Sequence, residues 1–123
     1  MPTTGERTFL IGVVGPCAAG KTTLIKNLED AGIRCRHIAQ EHSFVVDMWQ
    51  RVTNPDVLIF LDASYPVTKK RRNLTWSLND YLKQQHRLRH AREHADLLLQ
   101  TDHLTEKEVF IAVKRFLDDF YAH

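Results

Sequence analysis

Residues 15–22 read Gly15-Pro16-Cys17-Ala18-Ala19-Gly20-Lys21-Thr22, a complete G-x-x-x-x-G-K-[ST] phosphate-binding loop. No other stretch constrains the fold so tightly, because such a loop works only between a strand and a helix. The glycines let the backbone turn so that successive N–H groups face phosphate oxygens. The lysine reaches the β- and γ-phosphates, and the threonine hydroxyl ligates Mg²⁺. Both flanks fit this context. Phe9-Leu10-Ile11-Gly12-Val13-Val14 is a short apolar run, and Thr23-Leu24-Ile25-Lys26-Asn27-Leu28-Glu29 puts Leu24, Ile25 and Leu28 on one helical face. The nucleotide contacts expected from the loop are Gly15, Cys17, Ala18, Ala19, Gly20, Lys21, Thr22 and Thr23.

The rest of the chain alternates strand and helix. Strands are expected at about 9–14, 33–38, 57–62 and 97–99, and helices at about 21–31, 44–52, 67–74, 78–93 and from 105 onward. Val57-Leu58-Ile59-Phe60-Leu61 precedes Asp62 without a polar break, as in a strand buried on both faces. Thr105-Glu106-Lys107-Glu108 is a capping-box signature, and Val109, Val113, Phe116, Leu117 and Phe120 then form one stripe. This alternation implies an α/β fold, a parallel sheet with helices on both faces. All strand carboxyl ends then open on one edge, gathering the loop, Gln40–Ser43, Asp62 and Thr101–His103 around one crevice.

With 123 residues the chain fits a single domain, residues 1–123, with residues 1–7 expected as a flexible N-terminus. A net charge of +2 gives no reason to expect nucleic acid as a partner, and no apolar run is long enough to span a membrane. Met1–Arg7 lacks the apolar core of a signal peptide, and Cys17 and Cys35 form no C-x-x-C pair. The expectation is a cytoplasmic protein with reduced thiols.

Asp62 ends an apolar strand about 40 residues after Lys21, where a carboxylate holds Mg²⁺ beside the Thr22 hydroxyl. The competing reading is a strand-end aspartate that caps the next turn. Glu41 follows the second strand and could accept a proton from an acceptor hydroxyl or help organise Mg²⁺, with His42 as its alternative and a solvated loop glutamate as the plain one. Lys69-Lys70-Arg71-Arg72 and Arg87, Arg89 and Arg92 lie between the third and fourth strands. Most of these cations should be a solvated face. Arg71, Arg72 and Arg92 are the candidates for neutralising charge during phosphoryl transfer. His86, His90 and His94 repeat every fourth residue and read as a surface stripe rather than a zinc site. Trp49, among Phe44, Val45, Val46 and Met48, reads as core, with a dimer contact or an acceptor-pocket wall as the other uses of this segment.

With these pieces the chain resembles the small P-loop kinases of nucleosides, nucleotides and similar metabolites. Gly15–Thr22 carries the resemblance. Pro55–Ser64 resembles the third strand of thymidylate-kinase-type proteins, and Ala95–Val109 the last strand and helix of nucleotide and shikimate-type kinases. The resemblance implies the three-layer P-loop NTPase fold with four or five parallel strands in the order 2-3-1-4, ATP or another NTP as donor, and Mg²⁺. It implies a lid that starts at Arg71 and Arg72, with Arg92 reaching phosphate and Asp102 and His103 near the donor base. Between Ile38 and Val57 lie only 18 residues, too few for the acceptor-binding insertion such kinases carry. Two functions therefore stand: a minimal kinase of a small metabolite, and a nucleotide-binding switch acting through a protein partner or a second copy of the chain.

Overall fold

A computed structural model describes residues 9–72 and 76–122. The N-terminal segment 1–7 and the expected helix end at 73–74 lie outside the described residues. The elements run β1 (Ile11–Val14), α1 (Lys21–Asp30), β2 (Cys35–His37), a 3-10 turn (Gln40–His42), a π-helical turn (Trp49–Thr53), β3 (Val57–Asp62), α2 (Tyr65–Arg72), α3 (Leu78–Arg87), α4 (Arg89–His94), β4 (Leu97–Gln100) and α5 (Glu106–Ala122).

Successive residues of a strand face opposite ways, and the central strands are apolar on both sides. Ile11, Val13, Val57, Ile59 and Leu61 pack beneath Leu24 and Leu28 of α1 and Val109, Val113 and Leu117 of α5. Val14, Leu58 and Phe60 face the other way, against Ile38, Trp49, Leu88 and Ala91. The result is an α/β fold in which a four-stranded parallel sheet lies between two apolar layers.

The strand order is β2-β1-β3-β4, which corrects the expected 2-3-1-4. In the expected order both crossovers skip a strand. Here β1 connects to its neighbour β2 and β3 to its neighbour β4, the shorter and commoner connection. Only Ala31–Arg34 separate α1 from β2, and the Ile11 amide bonds the Arg34 carbonyl directly beside it. β1 and β3 remain central and adjacent, in register from Ile11 opposite Val57 to Val14 opposite Phe60.

Three local expectations change. The stretch 44–52 is not an α-helix, because the Gln40 side chain takes over its backbone groups: its Oε1 accepts from Trp49 N at 2.8 Å and its Nε2 donates to Val45 O at 2.9 Å. Trp49 is core as expected, whereas Phe44 is 85% exposed, its ring 4.5 Å from the Arg87 guanidinium. The long helix 78–93 breaks at Leu88, whose amide is shared between the Gln84 and Gln85 carbonyls. The strand expected at 97–99, which the run Leu97-Leu98-Leu99 would make buried throughout, instead runs to Gln100 and alternates, with Leu97 and Leu99 turned toward the α1–α5 layer and Leu98 exposed at the sheet edge.

Candidate functional site

The phosphate-type loop runs between the buried β1 and α1. Gly15 has φ 152°, and a Cβ there would lie 1.9 Å from the Leu61 carbonyl oxygen, so the glycine lets the loop pass against β3. Gly20 caps α1 at φ 102° without a side-chain hydrogen bond. The first-turn amides of α1 are thus left to solvent or a ligand, an arrangement that suits an anion. Ala18 adopts φ 66°, a conformation uncommon for a residue with a Cβ.

Lys21 is only 6% exposed and curls back over its own loop. Its ammonium donates to the Gly15 carbonyl, to the Pro16 carbonyl at 3.1 Å and to Glu41 Oε2 at 2.7 Å. Glu41 is 3% exposed, and its other oxygen, Oε1, is buried without a hydrogen-bond partner. A buried charged group with an unpaired oxygen carries an uncompensated desolvation cost, so this atom marks where an ion, water or ligand group belongs. The turn that carries Glu41 is held by Gln40, which also donates to Arg87 O at 3.2 Å, and by Arg87, which donates to Glu41 O at 3.3 Å.

Cys17 and His42 lie beside this carboxylate. Cys17 N donates to Gln84 Oε1 at 2.9 Å, Gln84 Nε2 donates to Cys17 Sγ at 3.1 Å, and His42 Nε2 is 3.9 Å from the sulfur. Burial, foremost, and the Lys21 and His42 charges hold the nearby His37 imidazole below its ordinary value, against an opposing pull from Glu41. Cys35 is elsewhere; burial and Glu29 push its thiol up to about 11. Both cysteines are free thiols.

Asp62 stands at the end of β3 as expected, but its carboxylate is engaged. Oδ2 accepts from Arg92 Nη1 at 2.9 Å, and Oδ1 accepts from Gln85 Nε2 at 3.1 Å and Ala63 N at 2.9 Å. Arg92 lies over the Phe60 ring and also bonds Gln85 Oε1. The structure thus brings together Asp62 and Arg92, expected to act separately on metal and phosphate. Arg71 is also tied down: it donates to Ala18 O at 3.1 Å, to Thr101 Oγ1 at 3.2 Å and to Thr101 O at 2.9 Å. The single Thr101 hydroxyl proton is shared between Ala19 O and Asp62 O, each 3.1 Å from Oγ1, so it buttons the loop to the ends of β3 and β4.

Two cavities flank the loop and share Ala18, Gly20 and Thr23. One, of about 260 Å³, is walled by Leu24, Arg71, Thr101, Leu104 and Val109. The other, of about 360 Å³, is walled by Cys17, Lys21, Thr22, His37, Glu41, His42 and Arg72, most of them polar or charged residues. Arg72 sits at its rim with its guanidinium 5.2 Å from the Trp76 ring. Thr22 therefore shares a cavity with Glu41, while Asp62 lines neither. Asp102 and His103 line neither: Asp102 accepts from Ser64 N at 2.8 Å, and His103 is exposed. The histidine stripe does not converge, since His90 accepts from the Trp49 indole at 3.1 Å and stacks on His94.

Sequence reasoning placed Gln40 and Thr101 at the crevice without seeing that they hold the site, and it missed Gln84 and Gln85. Uncharged amides on a helix dense in cations were the available signal for Gln84 and Gln85. Comparison with known protein families finds no match, and comparison with curated proteins finds none either. No helix among the described residues is long and apolar enough to cross a membrane.

Proposed function

We propose that this protein binds a nucleoside triphosphate along the loop, with the three-layer P-loop NTPase fold as its frame, and acts as a minimal kinase. The two cavities share Ala18, Gly20 and Thr23, so a ligand across the loop would meet Leu24, Leu104 and Val109 on one side and Lys21, Glu41 and His42 on the other, as a base and a phosphate chain require. The base would lie against Leu24, Leu104 and Arg71, and the phosphates over the uncapped start of α1 with Lys21. The observation that carries the reading is Lys21 buried within a loop whose helix has no side-chain cap, facing a carboxylate with an unpaired oxygen.

Mg²⁺ would be held by Thr22 and, once Arg92 releases one of its oxygens, by Asp62; it would neutralise charge on the phosphates. Arg92, drawn toward phosphate, would free that oxygen, so the ion pair is the resting state of the pair. Glu41 would orient an acceptor hydroxyl in the cavity it lines, and Arg72 at the rim would face the transferred group. The acceptor is a metabolite small enough for about 360 Å³.

Calorimetry with ATP and GTP, with and without Mg²⁺, on wild type and Lys21→Ala tests the first half. Binding that is unchanged in Lys21→Ala removes it. Radiolabel transfer from the γ-phosphoryl group to a metabolite panel tests the second. Release of free phosphate alone would favour the other reading, a nucleotide-dependent switch. One feature supports that alternative: Phe44, 85% exposed, lies three residues after Glu41, where a protein partner or second copy would sense the site.

A further inference from the structure

Among the described residues, Cys17, Glu41 and His42 form the one group of three metal-type ligands whose donor atoms all lie within 4.8 Å of one another. We infer that Cys17 Sγ, a Glu41 carboxylate oxygen and His42 Nε2 bind a zinc-like divalent ion, apart from the Mg²⁺ that accompanies a nucleotide. The separations are close to those of a tetrahedral site. With ordinary zinc bond lengths, sulfur and imidazole nitrogen would lie about 3.5 Å apart, and nitrogen and carboxylate oxygen about 3.3 Å apart. The structure has 3.9 Å from Cys17 Sγ to His42 Nε2 and 3.8 Å from His42 Nε2 to Glu41 Oε2. One donor atom from each residue already lies within 4.8 Å of the other two, so side-chain rotation suffices to gather them on one ion.

A second, independent observation points to a ligand. Glu41 is 97% removed from solvent, yet Oε1 has no partner while Oε2 is satisfied by Lys21. An ion on Oε1 would remove that cost without breaking the Lys21 bond. The Gln84 amide that donates to Cys17 Sγ at 3.1 Å holds the sulfur in place. A thiolate, an imidazole and one carboxylate select Zn²⁺ over Mg²⁺ or Ca²⁺. Binding exchanges the Cys17 S–H proton for the S–metal bond and releases that proton to solvent. Thiolate and carboxylate together balance the divalent charge, so the Lys21 charge stays available to an anion. Three protein ligands leave a fourth position open to the cavity they line, for water or another oxygen ligand. The ion does not require the kinase reading, and with it bound an acceptor hydroxyl would meet the ion's open position rather than the Glu41 carboxylate.

The test is titration of the reduced, tag-free full chain with Co²⁺, followed by absorbance. One equivalent should give a sulfur-to-cobalt charge-transfer band with the strong visible bands of a four-coordinate ion, and Zn²⁺ should bleach both. Cys17→Ser should abolish the charge-transfer band, and Cys35→Ser should keep it. His42 is 60% exposed, so His42→Ala leaves the fold intact and should weaken binding by more than about tenfold. A wild type without the charge-transfer band, or a band that survives Cys17→Ser, overturns the assignment. So does cobalt binding untouched by His42→Ala, which would place the ion on other histidines.

Discussion

At the scale of the residue, the Lys21–Glu41 pair concentrates the cost and the use of this site. Both side chains are almost fully buried, so removing one partner strands the other charge. Lys21→Met alone should destabilise the chain by about 3–5 kcal/mol, and Lys21→Met with Glu41→Leu by clearly less, read from urea midpoints. Equal losses in the single and double variants would show that the pair is not a unit. His37 adds a pH dependence of known sign. Its folded-state affinity for a proton is below the ordinary 6.5, so the unfolded chain takes up that proton first. No stability is lost to it well above 6.5; stability falls as pH drops through 6.5 toward the folded value, and His37→Gln should flatten that limb of the urea-midpoint profile. Lys21 was legible as a candidate because its motif is local, eight consecutive residues. Glu41 was legible as a candidate, but its pairing with Lys21 depends on a contact across 20 positions that no local pattern encodes.

At the scale of the element, the residues that fix helix ends and strand faces were written locally and were readable. β3 lies where its five apolar residues placed it, and α5 buries Val109, Val113 and Leu117 from the expected stripe. What escaped the sequence was decided by side chains from other elements. Gln40 unwinds the segment after it by taking its hydrogen bonds, whereas the break at Leu88 lies in the backbone itself, its amide shared between the Gln84 and Gln85 carbonyls. The start of α3 carries a capping box: Asp80 N donates to Ser77 Oγ at 3.0 Å, and Ser77 N donates to Asp80 Oδ2 at 3.2 Å. That helix presents Gln84 to Cys17 and Gln85 to Asp62, so its first turn supports the site at a distance. Ser77→Ala should cost about 1 kcal/mol and Ser77→Asp close to nothing, again by urea unfolding. A larger loss from the aspartate than from the alanine would mean that this cap is not the source of the stability.

At the scale of the whole molecule, the sheet order decides which loops meet. In the order β2-β1-β3-β4 the connections wind outward in opposite directions from the parallel pair β1 and β3, and the crevice outside their carboxyl ends is where open α/β sheets place ligands. The alternation of strand and helix made this crevice predictable, but the order itself was not, because β1 and β3 are central and adjacent in either arrangement. Arg71 and Thr101 join the loop to the far edge of that crevice, so the ligand site and the sheet should melt together. A nucleotide that binds only the folded chain then raises the stability of the entire domain, by about 2.7 kcal/mol at a concentration 100 times its dissociation constant. For a chain of this length that is a rise of roughly 10 °C in melting temperature. Differential scanning calorimetry should show the rise with Mg²⁺ and ATP or GTP in the wild type, and none in Lys21→Ala. Arg92→Ala separates the parts of the scheme: with Asp62 released from its guanidinium, the Mg²⁺-dependent share of the rise should grow while the share seen with nucleotide alone should shrink. If neither nucleotide moves the wild-type transition at millimolar concentration, the loop is a structural turn and the nucleotide reading falls with it.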